Sequence, residues 1–259
     1  MNIDLTGKNA LVCGSTRGIG RAIAFELATL GANVTLVARS ETKLQETLAQ
    51  IPHAKNQTHS YLVADFSDTN ALKLALGSLK RNHHILINNT GGPAGGAIVN
   101  AKEEEFIATF SKHLLCNHIL VQSLLRGMKA DGYGRIVNII STSVKQPIPG
   151  LGVSNTIRAA VANWSKTLSL ELASFGITVN NVLPGATETD RITEILESNS
   201  AKTGLSIAEL KEEMLHEIPM KRFAQPSETA AAVAFLCSPA AAYITGINLP
   251  VDGGRTKSL

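Results

Sequence analysis

Asn9-Ala10-Leu11-Val12-Cys13-Gly14-Ser15-Thr16-Arg17-Gly18-Ile19-Gly20-Arg21 is the stretch on which the fold turns. Its first five residues form a short apolar run, long enough for a buried strand. They lead directly into a turn with glycines at 14, 18 and 20. From Arg21 the apolar positions Ile23, Ala24, Leu27, Ala28 and Leu30 recur at helical spacing, and Gly31 stands where a helix stop is expected. Strand, glycine turn and helix in that order make a phosphate cradle the reading to test. Without side chains in the way, a pyrophosphate can approach backbone N–H groups at the positive end of the helix. The spacing is G-x-x-x-G-x-G rather than the usual G-x-G-x-x-G, and such a turn can also serve structure alone. The candidate cofactor contacts here are Gly14, Ser15, Thr16, Arg17, Gly18, Ile19 and Gly20.

Downstream the pattern repeats. Strands are expected at Asn33–Ala38, Ser60–Ala64, Ile85–Asn89, Arg135–Ser141, Ile177–Leu183 and Asn248–Val251. Helices are expected at Glu41–Ile51, Asp68–Lys80, Asn155–Phe175 and Pro226–Ser238, with one long helix or two abutting ones over Lys102–Met128. Alternating strands and helices with short connections predict an α/β domain, a doubly wound parallel sheet of about seven strands covered on both faces. No linker or low-complexity segment divides residues 1–259, so one domain is expected, with a polar, irregular and partly helical stretch at Asp190–Met220. Arg39 falls just beyond the second strand, where an acidic residue would bind a free ribose 2′-OH and a basic one a 2′-phosphate. Arg17 lies in the phosphate turn, and two arginines near one phosphate favour NADP(H) over NAD(H). A solvated loop arginine is the plain alternative for Arg39. Asp65-Phe66 and Asn89-Thr90-Gly91 follow strand ends, where open α/β sheets bind ligands.

Composition limits the function classes. The net charge is only +3 with no Lys/Arg block, which gives no basis for a nucleic-acid partner. Apolar residues make up 44% of the chain, enough for a continuous core, yet no apolar run approaches the ~18 residues of a membrane span. The first eight residues show no secretory pattern, and Cys13, Cys116 and Cys237 are far apart in apolar contexts, so a cytoplasmic protein with core cysteines is expected. No metal site is suggested.

Gly14-Ser15-Thr16-Arg17-Gly18-Ile19-Gly20, Asn88-Asn89-Thr90-Gly91, Arg135-Ile136-Val137-Asn138-Ile139, Pro184-Gly185 and Val251-Asp252-Gly253-Gly254 occur in one order over nearly the whole chain. In these motifs the sequence resembles the single-domain short-chain dehydrogenases/reductases, above all those similar to 3-oxoacyl-carrier-protein reductases. The resemblance implies that Asp65, Asn89 and Gly91 line the adenosine half of the cofactor. It places Pro184, Gly185, Thr187 and Thr189 at the nicotinamide end. It also implies a homotetramer, with a dimer as fallback, through the two long helices and the final strand. Residues 190–222 would be the substrate lid.

The catalytic frame departs from the family. Ser141 matches the family serine, but the Tyr-x-x-x-Lys pair falls on Ser154 and Arg158, and the family asparagine falls on His113. A serine is shorter and a far weaker acid than a phenol of pKa ~10. Arg158 keeps the positive charge and can bind the nicotinamide ribose or stabilise an alkoxide, but its pKa above ~12 makes it a poor proton donor. His113, with an ordinary pKa of ~6.5, suits proton transfer near neutrality, although a histidine packed between helices is the plainer reading. Lys145 and Ser143 are further candidates as acid and as partner of Ser141.

The expected function is therefore an NADP(H)-dependent reduction of a carbonyl, such as a 3-oxoacyl thioester or a small ketone, or the reverse oxidation. The alternative is a dinucleotide-binding protein with little or no turnover, acting as a redox sensor or as a partner subunit. An acyl carrier protein as substrate carrier is weakened by Phe175, which stands where such reductases present an arginine, with Lys129 as the remaining basic contact.

Overall fold

The structure, a computed structural model, describes residues 1–53 and 56–258. Strands β1 (Asn9–Cys13), β2 (Asn33–Ala38), β3 (Ser60–Val63), β4 (Ile85–Asn88), β5 (Gly134–Ile139), β6 (Ile177–Pro184) and β7 (Asn248–Val251) form one parallel sheet in the order β3-β2-β1-β4-β5-β6-β7. The order reverses between β1 and β4, and at such a switch point the loops part and leave a crevice at the carboxyl ends of the strands.

Helices α1 (Gly18–Thr29), α2 (Glu41–Leu48), α3 (Thr69–Leu76), α4 (Glu103–Phe110), α5 (Cys116–Ala130), α6 (Gly152–Leu172), α7 (Asp190–Thr203), α8 (Ile207–His216) and α9 (Pro226–Cys237) surround it. One core layer packs α1 and α9 on the sheet through Ile23, Leu27, Val34, Leu36, Val233 and Leu236. The other joins Leu11, Leu72, Leu86, Leu120, Met128 and Val179 beneath α3 and α5. Central strands are apolar on both faces because both are covered, which is why they read as continuous runs. Cys13, Cys116 and Cys237 are free and buried, and burial pushes the Cys116 thiol up to about 11.

Several boundaries differ from expectation. Helix α2 stops at Leu48 rather than Ile51, and α3 covers only Thr69–Leu76 because Asp68 caps its start and Gly77 its end. Helix α6 begins at Gly152, three residues before Asn155, and gives way to a 3-10 turn at Ala173–Phe175. The stretch Lys102–Met128 is two helices joined by a π-type turn, Ser111–Leu115. The turn's wider helical loop sets His113 inward, 5% exposed. Residues 190–216 form two helices, α7 and α8, the second started by Ser206, which accepts from the Glu209 N–H, while Glu209 accepts from the Ser206 N–H. Among the described residues no helix is long and apolar enough to cross a membrane.

A row of four asparagines ties β4, β5, β6 and β7 to one another. Asn88 Nδ2 donates to Asn138 Oδ1 (2.8 Å), Asn138 Nδ2 to Asn181 Oδ1 (2.9 Å) and Asn181 Nδ2 to Asn248 Oδ1 (2.8 Å). These residues are direct neighbours in the strand register. The row braces the strands whose ends carry the site.

Candidate active site

The glycine turn after β1 is built for close approach. Gly14 and Gly18 have φ of +60° and +52°, and a Cβ on Gly14 would lie 2.7 Å from Asn89 Nδ2. A Cβ on Gly20 would strike the Gly14 carbonyl, so helix and strand pack here only without side chains. Asn89 Nδ2 donates to the Cys13 carbonyl at 3.2 Å, tying the end of β4 to this turn. No side chain caps the start of α1, which leaves its first N–H groups available to an anion. Above Gly91 there is open space, with nothing within 4 Å of where a Cβ would stand. Cradle, helix end and open groove fit a dinucleotide lying across the switch point.

Some expected cofactor contacts are committed elsewhere. Ser15 is fully buried, and its hydroxyl accepts the Val37 N–H at 2.9 Å, so it joins the turn to β2 rather than facing the groove. Phe66 is buried in the core under α5, and its carbonyl accepts the Cys116 thiol. Ile19 packs against the α1 core layer. Arg17 extends to the start of α7, 3.2 Å from Glu194 and 3.7 Å from Asp190, instead of converging with Arg39. Arg39 is exposed and has no ion pair or hydrogen bond among the described residues. Asp65 accepts the Ser67 N–H at 2.9 Å, which holds its carboxyl below the usual range, and the Arg39 charge acts in the same direction. Thr16 is half-buried on the turn.

Beyond β6, a Cβ on Gly185 would lie 2.8 Å from the Asp252 backbone, so the Pro184-Gly185 turn and the chain after β7 lie against each other. Thr187 is buried and donates to the Gly185 carbonyl. Thr189 starts α7, and its methyl would lie 3.2 Å from a Cβ on Gly18. The segment after β6 thus closes against the glycine turn.

The four catalytic candidates do come together, at the ends of β4 and β5. Ser141 accepts the Ser143 N–H at 3.1 Å, which leaves its own O–H free to donate. Arg158, one helical turn after Ser154, donates through Nε to Ser154 Oγ (3.3 Å) and through Nη1 to the carbonyls of Ile139 (3.2 Å) and Ile140 (2.8 Å). Its guanidinium is therefore folded onto the end of β5, beside Ser141, with only Nη2 uncommitted. Burial, and next the Arg191 charge, push Arg158 down to about 10.

His113 Nδ1 lies 2.8 Å from Thr90 Oγ1, so the histidine does face the end of β4. It is not poised near neutrality, however. Burial, then the charge of Arg158, push its pKa down to about 3, so the ring is neutral at pH 7. That burial fits the plainer of the two readings, a histidine packed between helices, better than an imidazolium acid. Among the described residues His113 Nε2 and Ser143 Oγ are buried with no hydrogen-bond partner. Lys145 is half-buried at the end of the turn after Ser141. Across the groove, Arg191 Nη2 donates to the Pro93 carbonyl at 3.1 Å, joining α7 to the loop Gly91-Gly92-Pro93-Ala94-Gly95-Gly96, a contact for which the sequence carries no signal. Among the described residues no cluster could hold a metal.

A family model described as Enoyl-(Acyl carrier protein) reductase matches residues 14–256. The chain belongs to the short-chain dehydrogenase/reductase family. It is 33% identical to the NADPH-dependent reductase BacG of Bacillus subtilis, over 98% of this chain and 100% of that protein. It is 36% identical to the 3-oxoacyl-[acyl-carrier-protein] reductase FabG of Haemophilus influenzae, over 96% of this chain and 98% of that protein. Among solved structures, the L-sorbose reductase of Gluconobacter frateurii, complexed with NADPH and L-sorbose, superposes with a TM-score of 0.93 at 30% identity, covering 100% of both chains. The seven-stranded Rossmann-type fold is shared with these reductases.

Proposed function

We propose that this short-chain dehydrogenase/reductase is an NADP(H)-dependent oxidoreductase that reduces a carbonyl to an alcohol or runs the reverse reaction. The observation that carries the reading is the side-chain-free cradle of Gly14, Gly18 and Gly20 at the uncapped start of α1, opposite a Ser141 hydroxyl free to donate. Support for NADP(H) comes from Arg39 at the end of β2, with no hydrogen bond or ion pair among the described residues, and from the NADPH dependence of BacG and the NADPH bound by the sorbose reductase. Gly14, Gly18, Gly20 and the first N–H groups of α1 would hold the phosphates. Asn89 and Gly91 would line the groove, and Gly185, Thr187 and Thr189 would border the nicotinamide. Bound there, the nicotinamide supplies or accepts a hydride.

Ser141 donates to the carbonyl oxygen, and the fixed charge of Arg158 favours the negative charge that develops there. The proton comes from solvent, because neutral His113 and hydrogen-bonded Arg158 hold theirs. Residues 190–222 serve as the lid. A 3-oxoacyl thioester is one substrate form to test. An acyl carrier protein is disfavoured because Lys129 Nζ sits 4.0 Å over the Phe175 ring instead of standing free. The exposed apolar side chains Ile107, Phe110 and Leu170 on α4 and α6 suit the homotetramer, with a dimer as the smaller form.

A His113 held neutral by burial and an Arg158 that keeps its proton favour a second reading, a dinucleotide-binding protein with little turnover. Following NADPH consumption over a carbonyl panel separates the two. Turnover that falls ~100-fold or more in Ser141→Ala supports the enzyme. NADPH binding without turnover on any carbonyl supports the second reading.

A further inference from the structure

Arg158 is a charge without a counter-charge. Among the described residues no carboxylate pairs with it, and the one charged neighbour that acts on it is another arginine, Arg191. A partly buried cation left without a counter-charge is costly, and an anionic ligand would offset that cost. Three of its five N–H groups are spent on Ser154 Oγ and on the carbonyls of Ile139 and Ile140, which fix the guanidinium plane. The two N–H groups of Nη2 are left, and Nη2 lies 3.4 Å from where a Cβ on Gly92 would stand. Arg191, whose Nη1 is paired with Glu194 at 3.3 Å, holds the next residue through the Pro93 carbonyl. Two guanidinium groups therefore frame the Gly92-Pro93 segment at the mouth of the site. His113 Nε2, close enough to feel the Arg158 charge, is one more buried polar atom without a partner.

The cofactor phosphates are not the missing anion. Their cradle follows β1, whereas Arg158 rests on the end of β5, two strands away in the order β1-β4-β5 and so ~10 Å across the sheet. A nicotinamide ring is neutral or positive and offers no compensation. The remaining source is the substrate.

We infer that the substrate of this site carries a carboxylate, held by Arg158 Nη2 with Arg191 at the lid side, so that the reacting compound is an oxo acid or hydroxy acid rather than an uncharged ketone or thioester. The inference rests on the oxidoreductase reading for its carbonyl chemistry and on the arginine pair alone for the anion. In this arrangement Arg158 binds substrate, and the lysine-like role of a ribose ligand is reduced, because the donors that would serve it are already committed.

The test is calorimetric binding to the intact protein, with and without saturating NADPH. The probes are 2-oxopentanoate, 3-oxopentanoate and 4-oxopentanoate, each beside its methyl ester. A charge-assisted arginine–carboxylate contact predicts that at least one acid binds ~10-fold or more tightly than its ester. That preference should vanish in Arg158→Gln, survive in large part in Arg158→Lys and weaken in Arg191→Gln. Thermal melting confirms that each variant is folded. Acids and esters bound alike, or a preference untouched by Arg158→Gln in a folded protein, overturns the inference. NADPH binding with no acid preference removes the carboxylate and leaves the oxidoreductase. An acid preference without NADPH binding does the opposite.

Discussion

A methyl group on Gly20 would meet the Gly14 carbonyl and come within 2.6 Å of Asn89 Nδ2, neither of which can retreat without moving β1 or β4. Gly20→Ala should therefore lose ~1–3 kcal/mol or more of stability by denaturant unfolding and lose dinucleotide binding with it. At this scale the titration of two buried histidines also matters. Burial pushes His83 down to about 4 and, with Arg158, His113 down to about 3. A base whose folded pKa lies below its unfolded value of 6.5 binds fewer protons in the native state. Stability is then full above pH 6.5 and falls as the pH drops from there toward 3 to 4. At pH 5 each should cost ~2 kcal/mol relative to neutrality. A melting series from pH 7 to pH 5 checks this, and His83→Gln or His113→Asn should flatten it. By the same argument His113 gives no inflection near pH 6.5 in the kcat/KM profile.

Among the elements, β5 carries the most. Asn138, fully buried, both accepts from Asn88 and donates to Asn181. Asn138→Ala strands Asn88 Nδ2 and Asn181 Oδ1 in the interior, and chemical denaturation should show a loss of ~2–5 kcal/mol. The strands themselves were legible in the sequence, because a parallel sheet covered on both faces demands unbroken apolar runs such as Leu11-Val12 and Ile85-Leu86-Ile87. So was the glycine cradle, where backbone space is the message. The π-type turn that sets His113 inward has no sequence signal, and the polar pattern of residues 190–216 hides two helices. Side-chain direction was the least legible. Ser15, Phe66 and Arg17 sit in the expected motifs, yet one braces β2, one fills the core and one reaches α7. Arg158 was readable as a cation, but its lock onto the Ile139 and Ile140 carbonyls depends on where α6 meets β5.

For the whole molecule, the sheet brings together residues from β1 to β6 at one edge, and the segment after β6 closes over it through Thr189 against Gly18 and Arg191 against Pro93. The apolar side chains Ile107 and Phe110 on α4 and Leu170 on α6 are left exposed. Sedimentation equilibrium should give the mass of four chains, and Phe110→Lys with Leu170→Lys should shift it to dimers or monomers. Whether this edge binds NADP(H) is measured directly by calorimetric titration of the protein with NADPH and NADH side by side. NADPH should bind at least ~10-fold more tightly, and Arg39→Ala should remove most of the difference. Equal affinities would contradict the assignment of the 2′-phosphate, and no binding of either would contradict the cofactor site itself.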